Sequence, residues 1–326
     1  MTPVGSISDL AEDVLSVNGR DVGSRRSRRV QARIARRARL RARAAFLAVM
    51  TMLGVLLDLP AAGVTRSGTA AHVFVAHDWA FAAPLSRPSS KKPSSHAPAT
   101  VNTVVKTVVG LGDSVPAGSA CDCSSYVSLI GEALAAKQGT DVVSDNLATA
   151  GLTTQGLLDQ LKDDSARQTL LSADLTIITI GANDFDSGTI DDDDCGPSAG
   201  MACYKDDLVR LRANMDAILA RVRALQTRQG SRIIVTGYWN VFVDGAMGRA
   251  EGEKYVTNSD SLTRAVNGTL AASAQAGGAR YVDLYTPFKD YGATGDDTTL
   301  LAADGDHPAA TGHQLIARQV LSALQR

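Results

Sequence analysis

Aromatic rings are scarce in this chain: they make up 5% of its 326 residues, against 44% for hydrophobic residues as a whole. A sizeable core is still within reach, but Leu, Val, Ile and Ala must build it. Cysteine is scarcer still. Cys121, Cys123, Cys195 and Cys203 all fall in the later part of the chain and lack the repeated spacing of a metal-knuckle pair, so no metal site is expected from them. Charge of one sign is also missing: the formal net charge is -1, which excludes a uniform polyanion-binding surface. There is no repeat of solenoid or propeller period. The Gly-x-Ser-x-Gly arrangement of the α/β-hydrolase elbow is absent too, which disfavours that fold.

The charge that is present is unevenly placed. Residues 20–43 carry a dense arginine run that leads straight into the apolar residues 44–57, while the acids lie mainly beyond Asp141. Arginines ahead of an apolar segment are held on the cytoplasmic side, so the rest of the chain is expected outside the membrane. Residues 1–43 are therefore read as a basic cytoplasmic segment and 44–64 as a signal or a membrane anchor. The length of 44–64 nearly spans a bilayer, whereas Asp58 and Pro60 are awkward inside a membrane helix, and both readings stay open. No base-reading module accompanies the arginines, so no nucleic-acid partner is expected. Residues 65–103 are rich in Ser, Pro, Ala and Thr, with Pro84, Pro88, Pro93 and Pro98 spaced through them. Such a composition reads as an extended linker.

From residue 104 the pattern changes. Short β-branched runs at 104–111, 142–147, 175–180, 232–236 and 280–284 alternate with amphipathic stretches at 126–137, 154–161, 206–227, 259–276 and 309–324. In the third stretch Leu208, Leu211, Met215, Ile218, Leu219, Val222 and Leu225 follow helical spacing. Regular alternation predicts an α/β domain over 104–326, with a parallel five-stranded sheet covered on both faces and reactive groups beyond the carboxyl ends of the strands. If the domain is exported, its four cysteines are expected to pair. Cys195 with Cys203 would close a short loop, and Cys121 with Cys123 a tight ring to which the backbone must adapt.

The first strand runs into Gly110-Leu111-Gly112-Asp113-Ser114-Val115-Pro116-Ala117-Gly118. A serine here can act as a nucleophile, because small neighbours admit a substrate carbonyl and the serine amide can face a developing oxyanion. A plain Gly-rich turn is the local alternative. Of five histidines, His72, His77 and His96 lie in the linker, which leaves His307 and His313. In Asp304-Gly305-Asp306-His307-Pro308 a carboxylate three residues earlier can curl onto the imidazole Nδ1 and leave Nε2 for a serine. Asp306 is read as loop or cap chemistry, and His313 as a surface or helix-packing residue. Gly181-Ala182-Asn183-Asp184 follows the third strand and offers a side-chain amide donor, although Asn and Asp also end strands for local reasons.

Taken in order, these segments resemble the SGNH hydrolases, also called GDSL esterases and lipases. Gly112-Asp113-Ser114 matches the first block of that family, Gly151 the glycine of the second, Gly181-Ala182-Asn183-Asp184 the third, and Asp304 with His307 the Asp-x-x-His block. The resemblance implies a flavodoxin-like three-layer α/β/α fold. It also implies a catalytic Ser114, His307 and Asp304, an oxyanion hole from the amides of Ser114 and Gly151 and the Asn183 side chain, and no cofactor. Tyr238, Trp239, Asn240 and Phe242 follow the fourth strand and are expected to flank the cleft, the first three as substrate-binding residues; core or lid positions are the alternative for all four, favoured for Phe242. Asp191, Asp192, Asp193 and Asp194 read as a solvated loop rather than a calcium site. The expected substrate is a small-molecule, lipid or acylated-carbohydrate ester. The other reading is a cell-envelope binding module that keeps the fold without turnover.

Overall fold

Runs of Val, Ile and Leu closed by glycine or polar residues form the strands of the computed structural model, which describes residues 104–325. The basic segment 1–43, the signal or anchor 44–64, and the linker 65–103 with its three histidines lie outside the described residues. Five parallel strands, β1 (Thr107–Gly112), β2 (Val143–Asn146), β3 (Leu175–Thr179), β4 (Arg232–Thr236) and β5 (Arg280–Val282), lie in the order β2-β1-β3-β4-β5. β3 is buried along its whole length and β4 along all but its first residue, as parallel strands covered on both faces must be.

β1 begins later than the apolar run that starts at Val104, for a hydrogen-bonding reason. The Val105 N–H is taken by Gln138 Oε1 at 2.9 Å, and those of Lys106 and Thr107 by Asp174 Oδ2 at 2.7 and 3.1 Å. Those side chains replace the ladder there. At the far edge β5 stops at Val282, because Asp283 Oδ1 accepts the Tyr285 N–H and starts the short helix Tyr285–Lys289.

Leaving β1, the chain forms α1 (Ser114–Ala117) and α2 (Tyr126–Gln138); after β2 come α3 (Thr154–Gln160) and α4 (Asp164–Leu171). Then follow α5 (Lys205–Leu225) before β4, and α6 (Gly245–Glu251) with α7 (Glu253–Ala276) before β5. Beyond β5 lie α8 (Tyr285–Lys289) and α9 (Ala310–Leu324). The connection through α2 steps one way from β1, while those through α5 and α7 step the other way. Right-handed crossovers therefore put α2 on one face of the sheet and α5 and α7 on the opposite face. The packing agrees: α9 lies on α2, and α5 on α7. The direction reverses between β1 and β3, where an open parallel sheet forms its crevice.

Between β3 and α5 the chain makes a series of 3-10 turns. A disulfide joins Cys195 to Cys203 there and another joins Cys121 to Cys123, each with Cα atoms 5.2 Å apart. In the acidic run Asp193 forms an exposed ion pair with Lys254.

Candidate active site

The carboxyl end of β1 is shaped by one glycine. Gly112 has φ +136°, and a Cβ on it would meet the Thr179 carbonyl oxygen at 1.8 Å, so only glycine lets the chain turn this close to β3. The Asp113 N–H then donates to Thr179 O at 3.1 Å. Asp113 caps α1 by accepting the Val115 N–H on Oδ1 at 3.0 Å. Ser114 thus opens a helical turn, partly buried, in a position whose N–H has no intrahelical partner.

Asp113 is 1% exposed. Burial pushes its carboxyl up to about 7, against hydrogen bonds from Tyr238 and the Val115 N–H and the favourable charge of His307. The Tyr238 hydroxyl donates to Asp113 Oδ2 at 2.5 Å.

The imidazole comes from the loop ahead of α9. Asp304 Oδ1 accepts the N–H groups of Asp306 and His307, both at 3.1 Å, and Oδ2 lies 2.8 Å from His307 Nδ1. Gly305, at φ +72°, is pressed against Met247 and the Asp244 carbonyl, and its own carbonyl accepts the Asp244 N–H at 2.6 Å. Burial alone would raise the Asp304 carboxyl, but three hydrogen bonds from His307 and Asp306 hold it at about 2. His307 is raised above its ordinary value, first by the Asp304 hydrogen bond and then, against burial, by the charges of Asp306, Asp304 and Asp113. Asp306, read from sequence as loop chemistry, in fact has Oδ1 3.2 Å from Nδ1. His307 and Asp113 also act on one another's protonation, each favouring the charged form of the other.

Two more segments meet the same rim. Asn183 sits exposed in the 3-10 turn Ala182–Asp184 after β3, and its Nδ2 donates to Leu152 O at 3.1 Å. Asp184 accepts the Thr154 N–H at 2.9 Å and bonds the Thr154 hydroxyl. Together these contacts tie the Gly151 turn to the end of β3. Gly151 is exposed at φ +78°, with nothing within 4 Å of a notional Cβ, so its backbone conformation rather than crowding calls for glycine.

Tyr238, Trp239 and Asn240 do not flank the cleft as expected, because all three are fully buried. Trp239 stacks on Phe288, with ring centroids 4.4 Å apart. Asn240 donates to Ser259 Oγ at 2.9 Å and accepts from the Thr263 hydroxyl. Both are core residues beneath α7 and α8. Phe242 is buried as well. His313 packs between helices, stacked on Tyr126 and accepting the Tyr126 N–H on Nδ1 at 3.3 Å. Burial pushes it down to about 4 and keeps it neutral. Sequence reasoning missed the part played by Asp113 and Tyr238. Asp113 was in view inside the Gly-Asp-Ser triplet, but no local pattern reveals that a tyrosine so far along the chain reaches it.

The family model described as GDSL-like Lipase/Acylhydrolase matches residues 111–315. No curated protein matches the chain. Among solved structures, the lipase Lip_vut3 from a goat rumen metagenome is 17% identical, with 67% of this chain and 97% of that one covered at a TM-score of 0.51, which shows a shared fold. A lipase/acylhydrolase from Enterococcus faecalis is 18% identical over 68% and 95% of the two chains, with a TM-score of 0.48. A catalytic mutant of an acetylxylan esterase from Geobacillus stearothermophilus is 18% identical over 67% and 93%, also at 0.48.

Proposed function

The chain belongs to the GDSL-like lipase/acylhydrolase family, and we propose that it hydrolyses carboxylic esters through an acyl-enzyme formed on Ser114. The observation that carries this reading is the 2.8 Å contact between Asp304 Oδ2 and His307 Nδ1. A carboxylate on Nδ1 keeps the proton there and leaves a basic Nε2 free to accept the proton of Ser114. Ser114 Oγ attacks the acyl carbon as its proton passes to Nε2, and Asp304 supports the imidazolium that results.

The carbonyl oxygen becomes an oxyanion facing the N–H groups of Ser114 and Gly151 and the Asn183 amide. That amide has two N–H donors, and the bond to Leu152 engages one of them. His307 then returns the proton to the departing alcohol. In the second half a water gives its proton to the same nitrogen and attacks the acyl carbon, and the acid leaves as that proton passes to Ser114 Oγ. The residues that do this work supply every proton transfer.

The proposal extends to a location of the domain outside the cytoplasm. It is supported by the arginine-then-apolar order of residues 20–57 and by the four cysteines. The substrates are small-molecule, lipid or acylated-carbohydrate esters. The test is hydrolysis of p-nitrophenyl esters of increasing acyl length by the wild type, Ser114→Ala and His307→Ala. Turnover lost in both variants supports the enzyme, and an inert wild type on every ester and thioester points to a binding module.

A further inference from the structure

The loop that carries Asp304 and His307 is closed by its own backbone: the Ala302 N–H donates to His307 O and the Ala309 N–H to Leu300 O, both at 2.8 Å. Two neighbouring segments seat it from either side. On one side Asp244, which caps α6, donates its N–H to Gly305 O at 2.6 Å, and a Cβ on Gly305 would meet Asp244 O at 3.0 Å. On the other side the 3-10 turn Asp297–Leu300 runs directly into the loop, where Leu301 bridges Pro308. The Ala246 N–H donates to Thr298 Oγ1 at 2.9 Å and keeps the two segments adjacent.

Each segment contributes a carboxylate almost out of water: Asp244 is 6% exposed and Asp297 3%. One ammonium serves both. Lys289, the last residue of α8, bonds Asp244 Oδ2 and lies 3.3 Å from Asp297 Oδ2. Two carboxylates this close and this dry repel each other unless a cation lies between them or one takes a proton. Burial and the charge of Asp244 raise Asp297 to about 7, and Lys289 opposes them.

We propose that Lys289 is a positioning residue for the Asp304–His307 pair, its ammonium holding Asp244 and Asp297 together and so fixing the loop that carries the imidazole. This rests on the esterase reading above. Without the cation a buried charge is left uncompensated, and the segments must move apart or take up a proton. A misplacement of about 1 Å at a catalytic group can cost about 100-fold in rate. The imidazole moves its proton in the transition state, so the loss falls on kcat rather than on KM.

The test compares the full-length wild type with Lys289→Met and Lys289→Arg on a p-nitrophenyl ester that the wild type hydrolyses, at a temperature well below unfolding of every variant. Methionine keeps an apolar stem and removes the charge, and arginine restores a cation. For Lys289→Met, kcat is expected to fall about 10- to 100-fold with KM nearly unchanged, and Lys289→Arg is expected to recover most of it. Arg228→Met serves as a control. Arg228 pairs at 2.7 Å with Asp174, another buried carboxylate, but one that precedes β3 at the amino ends of the strands. Its loss is expected to lower stability and leave kcat as it was.

Lys289→Gln, which keeps an N–H donor for the carboxylates, decides the matter by the same criterion if the methionine variant does not fold. Wild-type kcat in the neutral variant, an equal loss in the Arg228→Met control, or an arginine variant no faster than the neutral one overturns the inference while leaving the esterase reading standing. A wild type inert on all esters removes both.

Discussion

Replacing Asp113 with asparagine should change how stability depends on pH. The group is 1% exposed, and burial lifts its pKa from 3.8 to about 7. Between those two values the folded protein keeps a proton that the unfolded chain releases, so stability falls as pH rises through the interval, by about 1.4 kcal/mol per unit. Below pH 3.8 both states hold the proton, and above about 7 both have lost it. Across roughly three units the penalty reaches about 4 kcal/mol, as an order of magnitude.

Asparagine mimics the protonated carboxyl and does not titrate. The difference in unfolding free energy between variant and wild type should therefore move in favour of the variant by about this amount from pH 4 to pH 8. Other groups, including Asp297, which burial also raises to about 7, titrate in both proteins and cancel. Urea unfolding of the two proteins across this range measures the difference directly. Parallel stability curves would refute a buried, protonated Asp113 and the packing that puts it there.

Asn183→Ala should lower kcat by about 100-fold with little change in thermal stability, since the side chain is exposed; equal turnover would remove it from the oxyanion hole. Asp304→Asn takes away the leading cause of the raised His307 pKa. Its acid limb of kcat/KM should move to lower pH while turnover falls by about 1000-fold or more, and an unmoved limb would break the pairing. Trp239→Ala should destabilise the domain by about 3–5 kcal/mol and leave KM for a short ester unchanged. A raised KM at unchanged stability would return Trp239 to the cleft. Cys195→Ser with Cys203→Ser should lose about 2–3 kcal/mol, and reductant should do the same to the wild type. Titration of four accessible thiols in the native protein would reject both bridges.

Much of this protein can be read from local pattern. The five apolar runs became the five strands, and the five amphipathic stretches became α2, α3, α5, α7 and α9, because periodic burial is written into residue order. The helices α1, α4, α6 and α8 were not read from sequence: each has only 4 to 8 residues, too few to show a clear apolar period, and α3, equally short, was read as the amphipathic stretch 154–161. α7 starts earlier than its pattern suggests because Tyr255 buries its ring and bonds the Phe242 carbonyl at 3.0 Å, a contact made outside the helix.

Ser114, Gly151, Asn183, Asp304 and His307 were singled out in sequence because their segments, taken in order, resemble the family's blocks, and each sits at a strand end or in a short turn. Tyr238 and Trp239 were misplaced for the opposite reason. Position after β4 tells which rim of the sheet a residue is near, but whether its ring faces solvent or core depends on what the rest of the chain packs against it. Here α7, α8 and the Asp113 carboxyl, brought in from distant parts of the sequence, turned both rings inward.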